Sequence, residues 1–128
     1  MSKSYINYFQ EVLKTAGHEA AAIHTPAYFM HTWNDFVTSC MGEYKGSIFD
    51  FDTGVLLRTT IHEILGEISL SAYPEFDNFC SHISITDQRF RLLVQDGRPG
   101  EFWWERALLL KAGQLYKEQA KLYYGFNY

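Results

Sequence analysis

Histidine and carboxylate side chains at helical spacing are the first candidates for chemistry in this chain. His62 is followed by Glu63, which is how a His-Glu-x-x-His helix begins; there, two histidines one turn apart hold zinc and the glutamate acts as base. The position four residues after His62 is Gly66, so the second ligand is missing. A di-iron bundle needs Glu-x-x-His on two helices, and none of the five histidines has a glutamate three places before it. His24, His31 and His62, from separate segments, remain a possible three-histidine metal site, and with it a small metal-binding helical-bundle enzyme. The alternative is ordinary helix surface: His31 and Asp35, like Arg58 and His62, are four residues apart, as neighbours on one helix face are.

A second candidate is Ile48-Phe49-Asp50-Phe51-Asp52-Thr53-Gly54, an apolar run followed by Asp-x-Asp. It resembles the first motif of the haloacid-dehalogenase-like phosphatases. The resemblance implies Asp50 as nucleophile, Asp52 as general acid and base, and Mg²⁺ between the acids and a phosphate. The family has Gly then Thr after the second Asp, whereas here Thr53 precedes Gly54. Only 76 residues follow Asp52, too few for that family's parallel sheet and later motifs. The other reading has Asp50 exposed and Asp52 with Thr53 capping a helix. No phosphate loop, dinucleotide-binding glycine pattern or Gly-x-Ser-x-Gly elbow occurs in the chain. Cys40 and Cys80 each sit in an apolar pattern and read as buried thiols in a reducing compartment. The expectation is a non-enzyme with no catalytic residues, no cofactor and no metal.

The elements that would position these groups read as an all-α, or nearly all-α, single domain over residues 1–128, a bundle of about five to six helices. Tyr5, Phe9, Val12, Leu13 and Ala16 fall at helical spacing before Gly17. Thr25 and Pro26 open a second helix whose stripe is Phe29, Met30, Trp33, Phe36, Val37, Cys40 and Met41, with Gly42 as its stop. Residues near 47–52 read as a short extended segment. Asp52 or Thr53 then caps a third helix carrying Leu57, Ile61, Ile64, Leu65 and Ile68, with Arg58, His62, Glu63 and Glu67 on the other side. Pro74 opens a short helix with Phe76, Phe79 and Cys80 inward, and Thr86 or Asp87 caps another with Phe90, Leu93 and Val94. After Gly97-Arg98-Pro99-Gly100 the longest helix is expected, with Trp104, Leu108, Leu109, Ala112, Leu115, Tyr116, Leu122 and Tyr123 along one band. The aromatic tail from Tyr123 to Tyr128 is expected to fold back over that helix's end rather than to bind a partner.

Twenty-two of 128 residues are aromatic, so a core built from large rings is expected. No apolar run reaches signal-peptide or membrane-span length, which points to a cytoplasmic protein that does not engage a membrane. The net charge of −4 is unevenly spread. Asp35, Glu43, Asp50, Asp52, Glu63, Glu67, Glu75, Asp77 and Asp87 face only Lys45 and Arg58, or −7, while residues 98–128 carry +2. Such a field repels nucleic acid and steers cationic partners inward. Solvated helix faces would also produce it.

Small, acidic and without a catalytic signature, the chain resembles in profile the bacterial immunity proteins of contact-dependent growth inhibition systems. The resemblance implies a protein that binds and neutralises a cognate toxin domain, often a basic nuclease. Asp50, Asp52, Glu63, Glu67, Glu75 and Asp77 are the carboxylates expected to cover its cationic groove. A structural subunit of a larger assembly is a third reading.

Overall fold

Ser4, Thr25 and Ser47 each stand just before an apolar-periodic stretch, and each caps a helix. Their side-chain oxygens accept from the backbone N–H of Asn7, Tyr28 and Asp50 at 3.2, 3.3 and 3.0 Å. The structure, a computed structural model, describes residues 4–126. It contains helices α1 (Tyr5–Thr15), α2 (Pro26–Ser39), α3 (Ile48–Leu65), α4 (Pro74–Arg91) and α5 (Gln114–Tyr124). Short 3₁₀ turns at Ala21–Ile23 and Ile68–Ala72 join α1 to α2 and α3 to α4. Two three-residue strands, β1 (Val94–Asp96) and β2 (Ala107–Leu109), form one antiparallel hairpin between α4 and α5. The protein is thus mainly helical, and no helix among the described residues is long and apolar enough to cross a membrane.

α2 packs against α3 and α4, and α5 lies on α3. The core is aromatic: Phe9, Phe29, Trp33, Phe51, Phe79, Phe90 and Tyr116 are all fully buried. Trp33 and Phe90 meet edge-on at 5.2 Å and Phe51 meets Tyr116 in the same way at 5.4 Å, the geometry ring quadrupoles favour.

Three expectations from the sequence are corrected. Residues 47–52 are not extended: Ser47, not Asp52 or Thr53, caps α3, and Ile48, Phe51 and Val55 fall inward at helical spacing. The segment from Pro74 to Arg91 is one helix rather than two, because Phe76, Phe79, Ile83, Thr86 and Phe90 make one continuous buried stripe. Thr86 is no cap; its hydroxyl donates to the carbonyl of His82 at 3.0 Å, which lets a polar side chain lie in the core.

The third correction is the largest. Residues 101–113 do not form the first half of a long helix, and Val94 belongs to a strand rather than to the helix before it. Val94, Gln95 and Asp96 pair with Leu109, Leu108 and Ala107, so Ala107 and Leu109 point inward while Leu108 lies between them on the other face. The chain then crosses Tyr44, whose N–H donates to the Lys111 carbonyl at 3.1 Å and whose carbonyl accepts from Gly113 at 2.9 Å. A Cβ at residue 113 would stand 2.0 Å from that carbonyl oxygen, so only glycine admits the crossing. α5 begins after it and buries Tyr116 and Ala120, leaving Leu115, Leu122 and Tyr123 exposed. Gly125, at φ 70°, ends α5 in a left-handed turn. Phe126 folds back, its N–H donating to the Ala120 carbonyl at 3.1 Å. The rest of the expected tail, Asn127 and Tyr128, lies outside the described residues.

Candidate functional site

α3 buries Arg58 among Phe51, Val55, Ile61 and Ile64, and a charge in such a place must be paired. Arg58, 5% exposed, is paired. Its Nε donates to Asp87 Oδ1 at 2.8 Å and its Nη2 to Asp87 Oδ2 at 2.9 Å, a two-pronged contact across to α4. Trp33 Nε1 on α2 donates to the same Asp87 Oδ1 at 3.0 Å. The guanidinium carbon lies 4.1 Å from the centre of the Trp104 ring, and Trp104 Nε1 donates to Thr59 Oγ1 at 2.9 Å. Four segments distant in sequence are thereby locked around one ion pair. Asp87, expected as a helix cap, is the anion of this seam, and Arg58, expected on an outer face, is its cation. In the sequence Arg58 is the only arginine or lysine of α3, and nothing local to it names Asp87 as its partner.

The six carboxylates expected to bind a partner stand in different settings. Asp52 turns inward, where it accepts from Arg98 Nη2 at 2.8 Å and from the Tyr124 hydroxyl at 2.7 Å, tying the loop after β1 to the end of α5. That contact with Asp52 raises the Tyr124 phenol above its ordinary value, since the proton is held in the hydrogen bond. Glu63 pairs with His18 at 2.5 Å. Glu67 lines a cleft of about 450 Å³ between α1 and the second 3₁₀ turn, with Tyr8, Glu11 and Ser69. Glu75 and Asp77 lie in the first turn of α4, where the helix dipole favours negative charge. Asp50 occupies the first turn of α3 and lines a groove on the side away from Asp52.

That groove runs between α2 and α3 and has a volume of about 410 Å³. Tyr28, Thr32, Asp35 and Phe36 form its α2 wall; Asp50, Thr53, Gly54 and Leu57 form its α3 wall. Both sets fall at one-turn spacing, so each is a single helix face. The floor depends on Gly54: a Cβ there would stand 2.3 Å from Phe36 Cδ1, and its absence lets the ring lie on the α3 backbone. Phe36 is held from behind by Trp33, Phe51 and Phe90 at centroid distances of 5.6, 5.5 and 5.8 Å. Tyr28 is braced by the His24 ring, stacked on it at 3.7 Å. Asp35 and Asp50 are both exposed, and no lysine or arginine lines the groove. Asp35, Tyr28 and Phe36 were not among the expected site residues; Asp35 stood in the acidic run from 35 to 87 and Phe36 in the α2 stripe.

The catalytic alternatives lose their geometry. Positions two apart on a helix are turned roughly 200° from each other, so Asp50 and Asp52 diverge and do not converge on one phosphate and its metal. His24 stacks on Tyr28, while His62 lies 4.5 Å from Phe102 and 5.5 Å from Trp104, ring centre to ring centre. No group of three or more His, Cys, Asp or Glu side chains able to hold a metal occurs among the described residues. The Cys40 thiol is pushed up to about 12 by burial, and burial also raises Cys80, so neither is primed as a nucleophile. No protein-family model matches the chain, and no curated protein or solved structure is detectably similar to it.

Proposed function

We propose that this chain is a protein-binding inhibitor of the immunity type, which forms a complex in the cytoplasm with a basic toxin domain, a nuclease in the leading case, and neutralises it. The observation that supports this reading is the divided fate of its carboxylates. Glu63 meets His18 at the surface, and two of the nine acids between residues 35 and 87 hold arginines away from water, Asp52 with Arg98 and Asp87 with Arg58. Those pairs also withdraw two cations from the surface, since Arg58 and Arg98 have side chains only 6% and 12% exposed. Asp35, Glu43, Asp50, Glu63, Glu75 and Asp77 stay exposed and Glu67 half-exposed. A field of that sign accelerates association with a cationic surface and discourages binding to nucleic acid itself.

The test uses the basic C-terminal domain of a secreted protein encoded beside this chain. Co-expression is expected to restore growth to cells poisoned by that domain, with a stoichiometric complex on purification. Reversing Glu63, Glu67, Glu75 and Asp77 to lysine is expected to slow association at low salt by about tenfold or more, with a smaller effect on dissociation. An unchanged association rate removes the charge argument. Absence of both complex and rescue removes the reading.

A further inference from the structure

We infer that the groove between α2 and α3 is the seat of an arginine side chain presented by the protein partner, an inference that rests on the protein-binding reading above. Two of the chain's five arginines are held in the same way. Arg58 lies over Trp104 at 4.1 Å with Asp87 on its nitrogens, and Arg98 lies 5.5 Å from the Tyr124 ring centre with Asp52 at 2.8 Å. A ring supplies the face and a carboxylate the edge, which matches the planar, weakly hydrated guanidinium better than the compact ammonium of lysine. The groove repeats that combination with no cation in its lining: Tyr28, stacked on His24, supplies the ring, Phe36 closes the floor, and Asp35 and Asp50 supply carboxylates from opposite walls.

Its walls are also set before anything binds. Phe36 is trapped between Gly54 and three core rings, and Tyr28 is stacked on His24. An incoming side chain therefore has little to order, and little conformational entropy is lost on the protein's side. Leu57 continues the apolar surface along α3, against the methylene stem of the same arginine. The volume of about 410 Å³ is on the scale of small-ligand clefts, ~300–1,000 Å³, and leaves room for one long side chain with part of its backbone.

The experiment is a titration of the full chain, isotopically labelled, with the blocked tripeptide alanyl-arginyl-alanine, followed by amide chemical shifts. The expected result is saturable shifts concentrated at Tyr28, Thr32, Phe36, Thr53, Gly54 and Leu57. The neutral isostere with citrulline in place of arginine is expected to bind at least tenfold more weakly, and the lysine peptide several-fold more weakly. The variant pair Asp35→Asn with Asp50→Asn keeps shape and removes charge at two exposed positions, so it folds and loses the response. Equal binding of the citrulline peptide overturns the inference, as do shifts centred on Glu63, Glu67, Glu75 and Asp77. Shifts of the same groove amides with protein concentration alone identify a second copy of this chain as the occupant and also overturn it. Because the titration needs no toxin, the two proposals fail separately. A toxin whose binding ignores Asp35→Asn and Asp50→Asn but responds to charge reversal at Glu63, Glu67, Glu75 and Asp77 sinks the groove and keeps the inhibitor. A specific peptide response with no toxin complex does the reverse.

Discussion

Two regions on different faces of α3 are made of the same parts. In the buried seam, Asp87 holds the edge of the Arg58 guanidinium, Trp104 lies on its face, and Trp33 donates to Asp87. In the open groove, Asp35 and Asp50 stand beside Phe36 and Tyr28 with no cation in the lining. The difference is one of completion. A carboxylate that already holds its cation away from water links helices, and removing either partner strands a charge in the core. A carboxylate left at the mouth of a groove costs the fold little and keeps its field for something outside. Asp52 and Asp50, two residues apart, fall on opposite sides of this division.

The comparison is broken most forcefully at Asp87. Asp87→Ala leaves Arg58 buried without its counter-ion, and the expected loss is about 3–5 kcal/mol in chemical denaturation. Replacing Arg58 by Met in the same protein is expected to recover much of it, because two apolar side chains leave no stranded charge. A loss below about 1 kcal/mol for Asp87→Ala would show that the seam is not what joins α2, α3 and α4.

Gly54→Ala comes next. Alanine favours helix by about 1 kcal/mol over glycine, but here its Cβ meets Phe36, whose retreat is blocked by Trp33, Phe51 and Phe90. Overpacking of this kind costs about 1–3 kcal/mol, so net destabilisation is expected, and a more stable variant would show that the α2–α3 contact is loose.

Asp52→Asn has a smaller expected effect, about 1 kcal/mol or less, because the Asp52 side chain is 32% exposed and solvent screens its pairing with Arg98. Its sharper readout is the ultraviolet titration of tyrosine. Tyr124 holds its proton above the ordinary range in the folded protein, so its contribution to stability is fully present below about pH 10 and is lost as pH rises through the raised value. Without the full carboxylate charge the Tyr124 transition is expected to move down; an unmoved transition would place Asp52 outside that hydrogen bond.

Asp50→Asn is expected to change stability least, by no more than about 0.5 kcal/mol, since the side chain is exposed. A loss as large as that of Asp52→Asn would erase the distinction between the two carboxylates.

How far each region could be read in the sequence follows from the range of the interactions that build it. The caps at Ser4 and Thr25, the stripes of α1 and α2 and the stop at Gly17 depend on residues within a few positions of one another, so they are legible as text. Ser47 followed by Asp50 three places later was an equally local signal for the start of α3, overshadowed by the strand-like Ile48-Phe49-Asp50-Phe51. Of the candidate site, the acids were visible and their division was not. A helix face opposite an apolar stripe reads as solvent, and nothing near Asp35 announces that Asp50 and Thr53 of another helix stand across from it.

By itself the sequence determined a mainly helical chain with an aromatic core and an acidic middle, because composition and the 3.6-residue period act over short distances. Tertiary structure alone decided that Ala107-Leu108-Leu109 is a strand. A short apolar run satisfies either period, and the partner strand at Val94 and the crossing at Tyr44 settle the matter. It alone also decided which aspartates are spent. That depends on whether Arg58, 29 residues from Asp87, and Arg98, 46 residues from Asp52, arrive within hydrogen-bonding distance, and only packing brings them there.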